Sequence, residues 1–427
     1  MRILYVCHRF PFPPRRGGKI RAFNMIRHFA RSHEVVVAAP CRSDAERDEG
    51  AGMAEDCHAI ETTVVNAPMQ VFRMIVRLPT RVPSSMGYFH SPRLARQIAQ
   101  RLNDEHFDLV FVHCSSVAHY VSDVNGIPKI LDFGDMDSQK WLEYVHAKPW
   151  PLRPGYWLEG RKLMAEEKRL AQRFDLCTAT TKAEWETLEG YRTARATDWF
   201  PNGVDTDYFA PSDEPYDADL ISFVGRMDYF PNQQCMLDFC ASVWPRLRAR
   251  RPTARLAIVG ADPSLSIRRL ANLDGVTVTG SVPDVRPYLR RSALTIAPLR
   301  IARGTQNKIL EAMAVGIPVV ASRLAAGGVD AVPGEHLLAA DSVDEQVEAI
   351  ASLLERPRER LRLAAAGRAR MLSHHSWERS MERLDAIIAR CIAEHARRVS
   401  GRVAAQRRQG PSASDARAAA PGYSRID

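Results

Sequence analysis

Short apolar runs alternate along the first half of the chain with segments in which apolar residues recur every three or four positions. Runs typical of buried strands occupy residues 3–7, 34–39, 109–112, 130–133 and 176–180. Helical spacing is found at 20–30 and in the charged segment 160–174. Strands that read as continuous apolar runs are typical of parallel sheets covered on both faces.

The alternation begins again at residue 220. Strand-like runs occupy 220–225, 254–260, 276–280, 294–297 and 318–321, and helical segments occupy 232–248 and 308–314. Two successive β-α-β series predict an α/β protein with two Rossmann-like, doubly wound domains. Ligands of such sheets bind at the carboxyl ends of the strands, so we expect a site in the cleft between the domains.

Turn-forming residues at 200–203 mark the seam between the two series. We predict an N-terminal domain over 1–198 and a second domain over 199–375. A C-terminal helix over 376–396 either ends the second domain or crosses back to the first. Residues 397–427 are rich in Ala, Arg, Ser, Gln and Gly, which is typical of a disordered basic tail.

Composition narrows the classes of function. The 427 residues carry a formal charge of +9, which favours nucleotide phosphates, nucleic acid or an anionic membrane face as partners. No helix-turn-helix, zinc-finger or RNA-binding signature supports nucleic acid, and no long apolar run supports a membrane span. Eight cysteines without a Cys-x-x-Cys pair are typical of reduced thiols. We therefore expect a cytoplasmic protein whose membrane contact, at most, is peripheral at the inner face.

The strongest candidate site is the segment 303–314, which lies between two predicted strands. Its Gly-containing loop opens a helix, whose free backbone N–H groups and positive dipole end favour a diphosphate. Glu311 follows one turn later, where its carboxylate can accept both hydroxyls of a ribose. The alternative is an ordinary surface loop with a solvated Glu.

A second Gly-containing loop follows the first predicted strand. Gly17 and Gly18 let a ligand approach the backbone closely. Four basic residues make the loop electropositive, namely Arg15, Arg16, Lys19 and Arg21. The loop would contact a phosphate across the cleft, or form a simple β-α turn.

Six motifs, including these two loops, have a recognisable pattern as a set. They are Gly17-Gly18 with Arg21, Asn202-Gly203-Val204-Asp205 with Asp207 and Phe209, Val224-Gly225-Arg226-Met227, Thr279-Gly280-Ser281-Val282-Pro283-Asp284, the segment 303–314, and Gly316-Ile317-Pro318-Val319-Val320-Ala321-Ser322. Together they resemble glycosyltransferase family 4, with 303–314 matching its Glu-x7-Glu region. The stretches 132–141 and 304–313 are most similar to the sugar transferases associated with the PEP-CTERM/exosortase exopolysaccharide system.

The resemblance implies a GT-B fold, a retaining mechanism and no required metal or cofactor beyond a nucleotide-sugar co-substrate. It implies an N-terminal acceptor domain and a C-terminal donor domain. The donor residues implied are Gly17, Gly18, Arg21, Gly225, Arg226, Val282, Gly304, Thr305, Gln306, Asn307, Lys308 and Glu311. The catalytic candidates are Asp135, Arg226, Arg303 and Lys308, and the acceptor candidates are His113 and Trp141.

The chain departs from the family pattern at three places. Arg303 replaces the first Glu of the pair, and could contact a phosphate, an acidic sugar or a structural carboxylate. Pro231 stands where a Lys is usual, so Lys308 would supply the missing charge. Asp135 falls near the position where the family has a His. There it would act either as a carboxylate that orients a ligand or as the cap of a loop. Asp135 and Asp137 also form an Asp-x-Asp pattern, which we interpret as a chance match rather than a metal site.

The segment 140–162 interleaves aromatic and basic residues. It is either a packed, solvated helix pair or a surface that meets an anionic membrane. A membrane would suit a polyprenyl-diphosphate-linked glycan as acceptor. The function predicted is sugar transfer from a nucleotide sugar in exopolysaccharide biosynthesis. The alternatives are an epimerase or phosphorylase on the same fold, or a basic nucleic-acid-binding protein.

Overall fold

The apolar runs of the first half form a sheet of seven parallel strands in a computed structural model, which describes residues 1–14 and 17–409 and only the backbone of 402–409. The strands are β1 (Arg2–Cys7), β2 (Glu34–Cys41), β3 (Ala59–Val64), β4 (Leu109–His113), β5 (Lys129–Gly134), β6 (Leu176–Ala179) and β7 (Thr197–Trp199). Their order is β3-β2-β1-β4-β5-β6-β7. The apolar pattern did not predict β3 and β7, because these edge strands are only partly buried.

The second half forms a parallel sheet of six strands. They are β8 (Asp217–Val224), β9 (Arg255–Val259), β10 (Val276–Gly280), β11 (Ser292–Ala297), β12 (Val319–Ala321) and β13 (Leu338–Ala339). Their order is β10-β9-β8-β11-β12-β13. Two doubly wound, Rossmann-like domains are therefore confirmed.

Helices cover both faces of each sheet. Those of the first half are α1 (Gly17–Ala30), α2 (Asp44–Glu49), α3 (Ala67–Arg77), α4 (Ser84–Tyr88), α5 (Pro92–Asp104), α6 (Asp137–Ala147), α7 (Arg153–Arg173) and α8 (Lys182–Gly190). Those of the second half are α9 (Phe230–Ser242), α10 (Trp244–Arg250), α11 (Leu265–Arg269), α12 (Arg286–Arg290), α13 (Asn307–Val315), α14 (Arg323–Ala326), α15 (Val343–Glu355), α16 (Pro357–His374) and α17 (Trp377–Gln409).

Two predicted helix boundaries were wrong. The segment 232–248 is not one helix but the pair α9 and α10, because Pro245 cannot donate the hydrogen bond of a continuous helix. Gly17 and Gly18 do not lie in a loop, since they form the first turn of α1. Arg15 and Arg16, which we expected to charge that loop, lie outside the described residues.

The chain crosses between the domains twice, side by side. The first crossing runs through Gly203, where a Cβ would lie 2.5 Å from the Trp377 backbone of the second crossing. Beside it, Val204 N donates to His375 O at 2.7 Å. After the second crossing, α17 packs its apolar face, including Leu384 and Ile388, into the core of the N-terminal domain.

The predicted start of a disordered tail at residue 397 was wrong. Helix α17 continues to Gln409, because the Ala-, Arg- and Gln-rich sequence consists largely of good helix formers. Asp175 holds its far part through His395 Nδ1 at 3.1 Å and Arg398 Nη2 at 2.7 Å. Residues 410–427 of the predicted tail lie outside the described part. No helix within 1–14 and 17–409 is long and apolar enough to cross a bilayer.

Candidate glycosyl-transfer site

The two sheets bring the start of α1 and the start of α13 together. The strand order of each sheet reverses beside its first strand, at β1/β4 and at β8/β11, and ligand crevices form at such points. A Cβ at Gly17 would lie 3.4 Å from Asn307 Nδ2. Two helix N-termini, each with a positive dipole end, therefore meet across the cleft.

The N-terminus of α13 has its backbone N–H groups free of side-chain caps. Gln306 is the N-cap residue and makes no capping hydrogen bond, while its amide bonds back to Arg303 O at 3.2 Å. The loop before it has φ +63° at Gly304, where a Cβ would lie 1.8 Å from Asp135 Oδ1. Only glycine fits there, and the open helix end suits an anion.

Lys308 and Glu311 lie about one turn apart near the start of α13. Lys308 Nζ donates to Asn232 Oδ1 at 2.6 Å, and Gly225 leaves room for this pair because a Cβ there would lie 2.8 Å from Asn232 Nδ2. Burial lowers the pKa of Lys308 to about 8, although the Glu311 carboxylate opposes the shift. Burial raises the pKa of Glu311 to about 7, against the attraction of Lys308. Glu311 accepts no hydrogen bond from any described residue, so its carboxylate is open to a ligand.

Arg226 and Val282 follow the carboxyl ends of β8 and β10. Arg226 pairs with Asp228, Nε to Oδ1 at 3.0 Å, and with Asp262. It also lines a 410 Å³ cavity that reaches Lys19 in the N-terminal domain. Val282 packs against the C-terminal core beyond Ser281, which lines a 370 Å³ cavity. Arg226 therefore borders the cavity between the domains, and the residue before Val282 borders a separate cavity of the C-terminal domain.

A second space, the inner cavity, lies where α1, α13 and the N-terminal sheet meet. It has a volume of 170 Å³. Its lining includes His8, Gly17, Gly18, His113, Asp135, Asp137, Thr305 and Asn307. Thr305 Oγ1 and His8 Nδ1 are buried there without a hydrogen-bond partner among the described residues.

Arg21, predicted to bind the donor directly, borders the inner cavity but bonds mainly to protein groups. Its side chain is 2 % exposed, and four of its N–H contacts go to protein oxygens. Nε and Nη2 bond to Asp132 at 2.9 and 3.1 Å, and Nη1 bonds to Asn202 Oδ1 at 2.9 Å and Phe200 O at 3.2 Å. The guanidinium also stacks 3.7 Å from the Phe200 ring centre. Arg21 therefore joins β5 to the interdomain crossing.

Asp132 links Arg21 to the inner cavity. Besides Arg21 it accepts a hydrogen bond from Thr178 Oγ1 at 2.9 Å and contacts His113 Nδ1 at 2.8 Å. Burial would raise the pKa of Asp132, but Arg21 and His113 outweigh it and hold the pKa below its usual range. His113 is thus oriented by an ionised carboxylate, with its ring facing the cavity.

Asp135 and Asp137 place two carboxyl groups at the inner cavity. Thr180 Oγ1 donates to Asp135 Oδ1 at 3.0 Å. Burial raises the pKa of Asp137, with Asp135 adding to the rise and Lys140 opposing it. Within the described part of the chain, no group of three or more His, Cys, Asp or Glu side chains has the arrangement of a metal site.

Arg303, predicted as catalytic, pairs with structural carboxylates, which is the third of the partners considered for it. Nε donates to Glu143 Oε1 of α6 at 2.6 Å, and Nη1 contacts Glu184 Oε1 of α8 at 3.4 Å. Burial and the nearby Asp135 raise the pKa of Glu184 to about 7. In this structure the charge of Arg303 therefore joins the two domains beside the site.

The acceptor candidates His113 and Trp141 have separate environments. His113 lines the inner cavity, whereas the Trp141 ring packs 5.1 Å from the Tyr156 ring, between α6 and α7. In the same segment Lys148 Nζ lies 3.5 Å from the ring centre of Phe230 in the C-terminal domain. Part of the segment 140–162 is therefore a packed helix pair that also joins the domains.

Sequence reasoning missed two residues of the site. His8 follows β1 directly, at the carboxyl end where ligands bind, and this position was the signal that could have found it. Burial and the neighbouring His113 hold the pKa of His8 well below its usual range. Asn202 was known only from its motif, yet its Nδ2 reaches Asn307 Oδ1 at 3.4 Å.

The two facing Rossmann-like domains define a GT-B fold. Solved structures with this architecture include sucrose-phosphate synthase from Thermosynechococcus elongatus, with 15% identity, 92% of this chain and 100% of that chain covered and a TM-score of 0.68. Anabaena HepE in complex with UDP-glucose has 14% identity, 91% and 99% coverage and a TM-score of 0.65.

Sequence comparison adds the class of enzyme. Residues 15–208 match the model of Glycosyltransferase Family 4, and 218–356 match Glycosyl transferases group 1. A GDP-mannose-dependent monoacylated alpha-(1-6)-phosphatidylinositol monomannoside mannosyltransferase of Corynebacterium glutamicum is 25% identical over 88% of this chain and 95% of its own length. A related GDP-mannose-dependent mannosyltransferase of Mycolicibacterium smegmatis is 24% identical over 88% and 96%. The chain is a GT-B glycosyltransferase.

Proposed function

We propose that the enzyme transfers a sugar, with retention of anomeric configuration, from a nucleotide-sugar donor to a polyprenyl-diphosphate-linked glycan or other glycan acceptor in exopolysaccharide biosynthesis. The observation that carries the donor assignment is the N-terminal part of α13. It combines an uncapped helix end, the Lys308 ammonium and the open Glu311 carboxylate. A diphosphate and a ribose need these three groups in this order along the helix.

In this proposal the diphosphate lies between the starts of α1 and α13. Lys308 and Arg226 stabilise the charge that grows on the departing diphosphate, and the paired helix dipoles add to their effect. The sugar then extends towards the inner cavity. There the carboxylate of Asp135 orients a sugar hydroxyl or stabilises positive charge on the ring.

In this proposal Arg303 takes no part in the chemistry, because its ion pairs with Glu143 and Glu184 hold it against the N-terminal domain, whereas the partners of Arg226 lie in its own domain. The enzyme works without a resident cofactor or metal ion. The acceptor approaches from the N-terminal domain, past His113. The relatives are GDP-mannose-dependent phosphatidylinositol monomannoside mannosyltransferases, and this supports a lipid-linked acceptor and makes GDP-mannose the first donor to test.

A thermal-shift series with GDP, UDP, GDP-mannose and UDP-glucose tests the donor assignment. The correct donor raises the melting temperature, because it binds only the folded state. The donor so identified is then incubated with and without acceptor, in the presence of EDTA. We expect nucleoside diphosphate to be released only when the acceptor is present. We also expect NMR to show an axial glycosidic bond in the product. Turnover that isomerises the sugar without an acceptor would indicate an epimerase instead.

Asp135→Asn separates catalysis from binding within this proposal. The variant should lower turnover by about tenfold to a hundredfold while donor affinity changes little, because the carboxylate acts on the sugar rather than the nucleotide. Initial rates and calorimetric donor titration measure the two quantities. Thr180→Val is the matched control, since it removes the hydrogen bond to Asp135 and keeps the charge. Unchanged turnover in Asp135→Asn would assign this residue to loop structure.

A further inference from the structure

A cavity of 500 Å³, here called the outer cavity, lies at the edge of the N-terminal sheet opposite the cleft. Its lining includes Lys129 at the start of β5, Asp175 just before β6 and Arg195 shortly before β7. The amino ends of parallel strands share one edge of a sheet, whereas the glycosyl-transfer site lies at the carboxyl ends. Along β5, Lys129 and Gly134 are about 16 Å apart. The outer cavity is therefore separate from the inner cavity.

Helix α17 supplies part of the lining of the outer cavity, with His395, Arg398 and Val399. The rest includes the end of α7 and the segment 122–127 that precedes β5. Sites for small molecules have volumes of about 300–1,000 Å³, whereas one water occupies about 30 Å³. The outer cavity therefore has room for an organic ligand and not only for water or a single ion.

The lining of the outer cavity has an excess of positive charge. Its four side-chain cations are Lys129, Arg173, Arg195 and Arg398, and its two carboxylates are Asp123 and Asp175. Asp175 is shared by two guanidinium groups, with Arg195 Nη1 at 3.3 Å and Arg398 Nη2 at 2.7 Å. Asp123 pairs with Arg173. Four cations against two carboxylates leave two formal positive charges, which favour an anionic ligand.

Lys129 is the cation of this set that forms no ion pair with a described residue. It is 5 % exposed. Its Nζ donates to Ser122 O at 2.8 Å and contacts Val121 O at 3.5 Å, both of which are neutral oxygens. Burial lowers the pKa of Lys129, although Asp175 opposes the shift. A buried ammonium without an ion pair costs free energy that a bound anion can offset.

His395 brings a second unfilled group to the outer cavity. Its Nδ1 contacts Asp175 Oδ2 at 3.1 Å, whereas its Nε2 is buried without a hydrogen-bond partner among the described residues. The carboxylate favours the proton on Nδ1, so Nε2 of the neutral ring accepts from a ligand hydroxyl. In the imidazolium, Nε2 donates to a phosphate oxygen instead. Both observations indicate a polar ligand that completes these groups.

We propose that the outer cavity binds a small phosphate ester, such as a sugar phosphate. The phosphate lies among Lys129, Arg195 and Arg398, which together exceed the charge of Asp175. Polar side chains of the same lining, such as Gln172, offer hydrogen bonds to the alcohol part. Because Arg398 belongs to α17 and Lys129 to β5, the ligand joins the C-terminal helix to the N-terminal sheet. This site is distinct from the donor and acceptor sites of the proposed function.

Calorimetric titration of the full chain with glucose 1-phosphate tests the site. Glucose and inorganic phosphate, at the same ionic strength, are the comparison ligands. The test variants are Lys129→Met, which removes the buried cation, and Arg195→Met, at a side chain that is 46 % exposed and tolerates substitution. The matched control is Lys182→Met, because the Lys182 side chain is 69 % exposed in the same domain. Lys308→Met reports on binding at the donor site. Circular dichroism verifies that each variant is folded.

The wild type, Lys182→Met and Lys308→Met should bind glucose 1-phosphate, and both test variants should bind it about tenfold more weakly. Glucose should show no binding, and inorganic phosphate should bind more weakly than the ester. If Lys129→Met did not fold, Arg195→Met would decide the matter. Absence of wild-type binding, or unchanged binding in the test variants, would overturn the proposal. So would equal affinity for glucose or for inorganic phosphate, or loss of binding in Lys308→Met alone.

Discussion

Helices α1 and α13 open the two halves of the cleft in the same way, but the charges that they carry have opposite environments. Arg21, one turn into α1, is 1 % exposed and bonds to Asp132 and Asn202. Glu311, one turn into α13, accepts no hydrogen bond from any described residue. Both charges lie in the cleft wall, yet only one of them is satisfied by the protein.

This difference distinguishes structural from ligand-binding charges. A buried charge with a full set of partners stabilises one arrangement of the chain, and removing it leaves its partner uncompensated. A buried charge without partners costs free energy that a bound ligand can offset. Motif position alone assigned both residues to the donor, and only their surroundings separate them.

Arg21→Met should have the largest effect on stability. It leaves Asp132 ionised and buried, so we expect the free energy of unfolding to fall by about 3–5 kcal/mol. Urea denaturation measures the change. The exposed residue Arg358 supplies the control Arg358→Met, which should change stability by less than about 0.5 kcal/mol. If Arg21→Met unfolded like the wild type but lost donor affinity, Arg21 would be a donor ligand after all.

Glu311→Gln should weaken ligand binding without lowering stability, which is the converse of the effect expected for Arg21→Met. Loss of charged hydrogen bonds to the ribose should weaken binding of the nucleoside diphosphate by about tenfold to a hundredfold. Stability should remain or rise, because a partly buried carboxylate that accepts no hydrogen bond is removed. Calorimetric titration and urea denaturation give the two values, with Glu335→Gln as an exposed control in the same domain. Normal donor affinity would remove Glu311 from the site.

The pH dependence of donor affinity sharpens the same comparison. Below about pH 7 Glu311 gains a proton and accepts the ribose hydroxyls poorly, and above about pH 8 Lys308 loses its proton and its attraction for phosphate. Affinity should therefore be greatest between these values and fall by up to about tenfold per pH unit on either side. Titrations from pH 5.5 to 9.5, about two units beyond the optimum, measure it. The fall in affinity at low pH should vanish in Glu311→Gln, and the fall at high pH should vanish in Lys308→Met. A fall that persists in its variant would assign that part of the pH dependence to another group.

Arg303→Gln should have the smallest effect. Arg303 is paired like Arg21, but its side chain and that of Glu143 are each about a quarter exposed, at 24 and 25 %. Solvent screening limits the loss of stability to about 1 kcal/mol, and turnover should stay within a few fold. Thermal unfolding measures the loss of stability, and initial rates measure the turnover. Glu143→Gln should change both quantities by the same amounts as Arg303→Gln. A large loss of turnover in Arg303→Gln alone would return Arg303 to catalysis.

The sequence by itself determined the local structure. Continuous apolar runs predicted the central strands, because parallel strands covered on both faces exclude polar side chains. Gly304 and the helical spacing after it predicted an anion-binding helix end, since both depend on neighbouring residues alone. The edge strands β3, β7 and β13 escaped prediction because they are short or mixed in sequence and partly exposed.

Only the tertiary structure decided which charges are satisfied. Arg21 meets Asp132 across 111 positions of sequence, and Arg303 meets Glu143 across 160. The tertiary structure also placed the polar face of α3 inward, towards His90. Such pairings follow from how distant segments pack, and a charge interacts with whatever lies within a few ångströms, whatever its distance along the chain.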